Sequence, residues 1–186
     1  EEGHIILFAS QRVTNPYKGM QYLIDACKLM ASQHPDCCNH TSVAILGGHA
    51  EEIADKLPFP THALGYVNDE QRIVAAYNAA DVFVLPSLSE NLPNTIMEAM
   101  ACGVPCVGFR VGGIPEMIDH QQNGYVANFR DAEDLAKGIH YVLDEADQQA
   151  LRNNCLQKVA HNYSQQSVAK KYIEVYDTIL SHNHHV

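Results

Sequence analysis

The chain has 186 residues, enough for one domain with a sizeable core. It is 46% hydrophobic and 18% charged, which excludes a disordered chain. The formal net charge of −10 excludes the broad basic face that non-specific nucleic-acid binding needs, so any anion site must be local.

No apolar run reaches the length of a membrane span, and no signal-peptide pattern opens the chain. Six cysteines occur, Cys27, Cys37, Cys38, Cys102, Cys106 and Cys155, without a C-x-x-C pair. Several stand in apolar runs and read as buried thiols of a reducing compartment. Cys37 and Cys38 stand in a polar loop and have no role in this reading. The chain opens at Glu1 without methionine and enters a strand almost at once, as an excised piece of something longer would. The ending SHNHHV offers at most adventitious metal binding, with no partner ligands at metal-site spacing.

In chain order, HIILFAS (4–10) reads as a strand. Residues 19–33 form a helix with Met20, Leu23, Ile24, Cys27 and Met30 on one face. A buried strand over 42–48 ends in Gly47 and Gly48, and a short helix covers 50–57. A strand over 61–67 precedes a helix over 69–80, capped by Asn68 or Asp69. A strand over 81–87 is continuously apolar from Val82 to Pro86, as in a parallel strand covered on both faces. A helix over 94–102, a strand over 104–109, a loop with a helical turn over 112–118 and an Asn-Gly turn within 123–128 follow. Helices over 131–144, 147–161 and 165–182 close the chain. The fold class is α/β, a Rossmann-like, doubly wound, mostly parallel sheet. Ligands in such sheets bind at the carboxyl ends of the strands, beside helix N-termini.

Three segments at those ends carry chemistry. Arg12 and Lys18 flank a proline turn before a helix, a place for a phosphate or an ordinary solvated loop. Gly47 permits close backbone approach, and Tyr66 with Val67 offers a wall to a nucleobase; both segments also read as plain turns. Neither a P-loop nor G-x-G-x-x-G spacing is present. The third segment is SENLPNTIMEAMACG (89–103). Thr95 and Glu98 have capping-box spacing, which leaves Glu90 unexplained. Alternatively, free N–H groups of Asn94, Thr95 and Ile96 receive a phosphate while Glu90 and Glu98 accept from sugar hydroxyls.

The run PSLSENLPNTIMEAMACGVPCVGFRVGGIPEMIDHQQNGYV (86–126), with the Arg12…Lys18-Gly19 loop and LGYVNDEQRIVAAYNAADVFVLPS (64–87), resembles the E-x7-E region of family-4 retaining glycosyltransferases. That resemblance implies a GT-B fold, of which this single domain, 1–186, is the C-terminal, donor-binding half. The acceptor domain is then absent from the chain. It implies that Arg12 and Lys18 hold the donor diphosphate, that Glu90 approaches the transferred sugar and that Glu98 holds the ribose. Asn91, Leu92, Pro93, Asn94 and Thr95 would contact sugar and phosphate through their backbone, and Gly47, Tyr66 and Val67 would line the base. It implies transfer of a hexosyl group from a nucleotide-diphosphate sugar to a saccharide or lipid-linked acceptor, in bacterial surface polysaccharide synthesis. No metal and no other cofactor are expected for transfer. The setting would be cytoplasmic, with membrane attachment only through the missing half. The alternatives are a non-catalytic nucleotide-sugar-binding module and a GT-B nucleotide-sugar epimerase. One departure stands out: NLPN follows Glu90 where many members carry a Gly-Phe-Gly type sequence.

Overall fold

The computed structural model describes residues 3–182, so the expectation for the histidine-bearing tail falls largely outside the described residues. Six parallel strands form one sheet in the order β3-β2-β1-β4-β5-β6. They are β1 (His4–Arg12), β2 (Thr41–Gly48), β3 (Thr61–Gly65), β4 (Val82–Leu85), β5 (Cys106–Phe109) and β6 (Gly124–Ala127). The helices are α1 (Met20–Gln33), α2 (Glu51–Ala54), α3 (Glu70–Asn78), α4 (Asn94–Ala101), α5 (Ile114–Met117), α6 (Ala132–His140), α7 (Gln148–Asn162) and α8 (Gln165–His182).

Strand alternation divides the core into two layers. Ile6, Phe8, Val43, Ile45, Val82, Val84, Val107 and Phe109 face α1 and α6. Leu7, Phe83, Leu85 and Cys106 face the opposite layer, with Tyr77 of α3, Ile96 and Met100 of α4 and Cys155 of α7. Both faces of the central strands are therefore covered, and this is why β4 reads as an unbroken apolar run.

Several boundaries move for identifiable reasons. β1 runs on to Arg12, which pairs with Gly48 across a register shift, so Arg12 ends a strand and is not in a loop. β3 stops at Gly65, in the left-handed region at φ 67°, and leaves Tyr66 and Val67 in the following turn. β5 starts at Cys106, immediately after Pro105, which has no N–H for the ladder. Asp69, one of the two expected caps, caps α3 by accepting from the Gln71 N–H. The last stretch of the helix expected over 131–144 widens into a π-helical turn, Tyr141–Glu145. All six cysteines are free; Cys27, Cys37, Cys106 and Cys155 are buried.

Candidate functional site

The first loops at the carboxyl edge interlock. Asn15 caps the short 3-10 turn Pro16–Lys18, and Gly19 follows in the left-handed region at φ 70°. A Cβ at Gly19 would collide with the Pro86 carbonyl oxygen, so only glycine lets this turn lie against the end of β4. The Leu88 N–H donates to the Tyr17 carbonyl at 2.8 Å, tying the two loops together. That docking brings Lys18 to Glu90. The ammonium donates to Glu90 Oε1 at 2.6 Å, with the carboxylate side chain only 11% exposed. Three residues before Glu90 in the chain, the Ser87 hydroxyl is fully buried and has no hydrogen-bond partner among the described residues.

The far side of the Glu90 loop is braced by Gly112 and Gly113. The Gly113 N–H donates to the Asn91 carbonyl at 2.6 Å. Gly112 sits at φ 53°, and a Cβ there would overlap the Glu90 carbonyl oxygen.

α4 begins at Asn94 with Pro93 as its N-cap, and no side chain caps it. The capping box expected at Thr95 and Glu98 is therefore absent: Thr95 is already inside the helix, because Pro93 supplies the extended entry residue. Of the three N–H groups expected to be free, that of Ile96 donates to the Pro93 carbonyl at 3.2 Å. Those of Asn94 and Thr95 belong to the unpartnered first turn. The Glu98 carboxylate instead accepts from the Tyr77 hydroxyl at 3.0 Å. Tyr77 is buried on α3, edge-to-face with Phe83 at 5.7 Å. Burial first, and Glu98 second, push its phenol well above its ordinary range.

A cavity of about 150 Å³ opens between these elements. Gly47, Tyr66, Val67, Thr95 and Glu98, all expected at the site, line it together with Ser10, Gln11, Leu46 and Tyr77. The structure thus gathers five expected residues in one cavity and joins Lys18 to Glu90 at the same carboxyl edge of the sheet. Arg12 is not among the lining residues; its Nε donates to Thr14 Oγ1 at 3.1 Å, and its side chain is exposed. Asn91 and Leu92 are exposed on the arch, Pro93 is buried beneath it, and none of these three lines the cavity. Sequence spacing gave no sign of Tyr77, because it reaches Glu98 from another helix.

A doubly wound parallel domain with a cavity and an N-terminal helix end at the strand carboxyl edge defines a Rossmann-like ligand-binding domain. The family model described as "Glycosyl transferases group 1" matches residues 3–145, and the chain belongs to this family. An uncharacterised glycosyltransferase of Methanocaldococcus jannaschii is 31% identical over 166 residues, covering 86% of this chain and 41% of that protein. N-acetyl-alpha-D-glucosaminyl L-malate synthase of Bacillus anthracis is 29% identical over 158 residues, covering 84% and 39%. Among solved structures, Anabaena HepE in complex with UDP superposes with TM-score 0.76 at 21% identity, covering 95% of this chain and 49% of that one. Sucrose-phosphate synthase from Thermosynechococcus elongatus gives 0.77 at 23%, covering 96% and 46%. These neighbours share the fold, and the chain spans about two fifths to one half of its relatives' length.

Proposed function

We propose that this chain is the C-terminal, donor-binding half of a family-4 retaining glycosyltransferase of GT-B type. It holds a nucleotide-diphosphate sugar whose hexosyl group passes to a saccharide or lipid-linked acceptor on a domain outside this chain. The observation that carries this reading is that one edge of the sheet, at the strand carboxyl ends, holds the Lys18–Glu90 pair, the open end of α4 and the cavity lined by Gly47, Tyr66, Val67, Thr95 and Glu98. A cavity of about 150 Å³ is smaller than the usual several hundred for a whole ligand. It suits a base and ribose, with diphosphate and sugar outside it on the exposed arch.

The chemistry follows from the donor set. An ammonium has three N–H donors, and one goes to Glu90. Two remain for diphosphate oxygens, and Glu90 keeps one oxygen to accept from a sugar hydroxyl. Glu98, steadied by Tyr77, accepts from the ribose. As the sugar–oxygen bond breaks, negative charge grows on the diphosphate. Lys18, the N–H groups of Asn94 and Thr95 and, once it turns from Thr14, Arg12 stabilise that charge. These groups do the work a divalent metal would otherwise do, so transfer by the complete enzyme is expected without one. A surface-polysaccharide role and a cytoplasmic setting belong to the same proposal. Among the described residues no helix is long and apolar enough to cross a membrane.

Calorimetric titration with UDP, GDP and ADP tests the reading. One nucleotide should bind the parent chain, and Glu98→Ala and Lys18→Ala should each lose on the order of tenfold in affinity. Undiminished binding in both variants would place the nucleotide elsewhere. Donor and acceptor incubated with this chain alone should give no transfer product.

A further inference from the structure

At the opposite edge of the sheet, three side chains from distant parts of the sequence converge. His4 opens β1, His40 immediately precedes β2, and Asp144 lies on the π-helical turn after α6. One nitrogen from each histidine and one Asp144 oxygen all lie within 4.8 Å of one another. His4 Nε2 stands 3.8 Å from Asp144 Oδ1, and the two imidazoles meet edge-to-face at 5.6 Å. The backbone fixes the histidines: the His4 N–H donates to the His40 carbonyl at 2.6 Å, and His4 pairs in register with Thr41. Asp144 is fixed as well, since its second oxygen, Oδ2, lies 2.9 Å from His140 Nδ1. The His140 ring in turn stacks on His34 at 4.0 Å.

We propose that His4, His40 and Asp144 form a site for one divalent transition-metal ion of the zinc class, separate from the donor site. Two imidazoles and a carboxylate match zinc, whereas magnesium and calcium prefer oxygen donors throughout. Tetrahedral bonds of about 2.0–2.1 Å place ligand atoms roughly 3.4 Å apart. The 3.8 Å between His4 and Asp144 is already close to that, and small ring rotations bring in His40. The fourth position is left to water. His140 takes the place of an outer partner, holding the carboxylate oxygen that does not face the ion. The ion would clamp the starts of β1 and β2 to the end of α6. Its distance from the donor site is the length of β1, about 26 Å. No sequence motif announces it, because the ligands are 36 and 104 residues apart.

Zinc titration against a chromophoric chelator, with scanning fluorimetry, tests the site. The background is the full chain carrying His182→Ala, His184→Ala and His185→Ala, so that the tail histidines cannot compete. One zinc per chain should bind, and the melting temperature should rise with zinc but not with magnesium. His4→Gln, His40→Gln and Asp144→Asn should each weaken zinc binding about tenfold or more while melting cooperatively without metal. Glu51→Gln/Glu52→Gln, in the exposed cluster with His49, should leave it unchanged. If the background chain takes up no zinc at submillimolar concentration, or if the folded variants bind it as tightly as their parent, the proposal is overturned. Zinc affinity should also be indifferent to Lys18→Ala, so failure of the donor reading would not be mistaken for failure of this one.

Discussion

Tyr77 sets the position of Glu98. Its ring is buried, and its hydroxyl donates to a carboxylate that is otherwise exposed at the cavity. In Tyr77→Phe the ring packing survives and the hydrogen bond is lost, at about 1 kcal/mol in stability. If Glu98 holds a ribose, nucleotide affinity should also fall several-fold by titration, because Glu98 must then be ordered at the moment of binding. Unchanged affinity would mean that Glu98 needs no steadying. The Lys18–Glu90 pair makes a different prediction. Lys18→Met strands a carboxylate that is 11% exposed, and should cost about 1–3 kcal/mol in urea denaturation. Adding Glu90→Gln should recover part of that loss, and the double-mutant cycle reads the coupling directly. Neither contact is legible in the sequence. Residues 18 and 90, like 77 and 98, become neighbours only once the sheet order is known, whereas Glu90 and Glu98 stand out within one short motif.

At the level of elements, the glycines of VGGIPEM matter more than their turn suggests. Residues 112–118 read from sequence as a loop entering a helical turn, and α5 is there, but their bracing of the Glu90 arch is a tertiary fact. Gly112→Ala adds a Cβ where the Glu90 carbonyl stands, at a positive φ. It should cost on the order of 2–3 kcal/mol and shift the arch. The expected result is a lower melting temperature with nucleotide affinity reduced as strongly as in Lys18→Ala. A variant with normal affinity would show that the arch holds its shape without this brace. The capping box at Thr95 illustrates the converse failure. Its spacing is correct, but Pro93 already provides the extended residue before the helix, so the helix starts two residues earlier than a Thr95 cap would allow and Glu98 is released to Tyr77. Local pattern located α4; which local pattern prevails depends on what packs against it.

For the whole molecule, the order of strands and helices was legible because apolar runs and amphipathic stretches alternate regularly, and hydrophobic burial follows that alternation directly. The same burial makes stability depend on alkaline pH. Desolvation pushes the thiol of Cys155 up from 9.0 to about 12 and the phenol of Tyr125 up from 10.0 to about 12, the latter helped by its bond to Asp134. Raised folded values mean that stability is intact below pH 9, where these groups are protonated in both states. Unfolded thiols and phenols ionise first as pH rises, so stability should drain away between about pH 9 and 12, read as a falling urea midpoint. The last helix raises a separate question. Tyr172, Ile173, Val175, Tyr176, Ile179 and Leu180 are each more than half exposed, and α8 packs chiefly on α7. A helix that buries so little contributes little to the core, and its apolar stripe is the kind of surface that another part of a longer protein covers. Truncation after Ser164 should therefore leave the melting temperature within about 2 °C, since few buried contacts are lost. It should also abolish any concentration-dependent association of the full chain in sedimentation velocity. A truncated chain that no longer melts cooperatively would mean that α8 belongs to the core of this domain; one that still associates would mean that the sticky surface lies elsewhere.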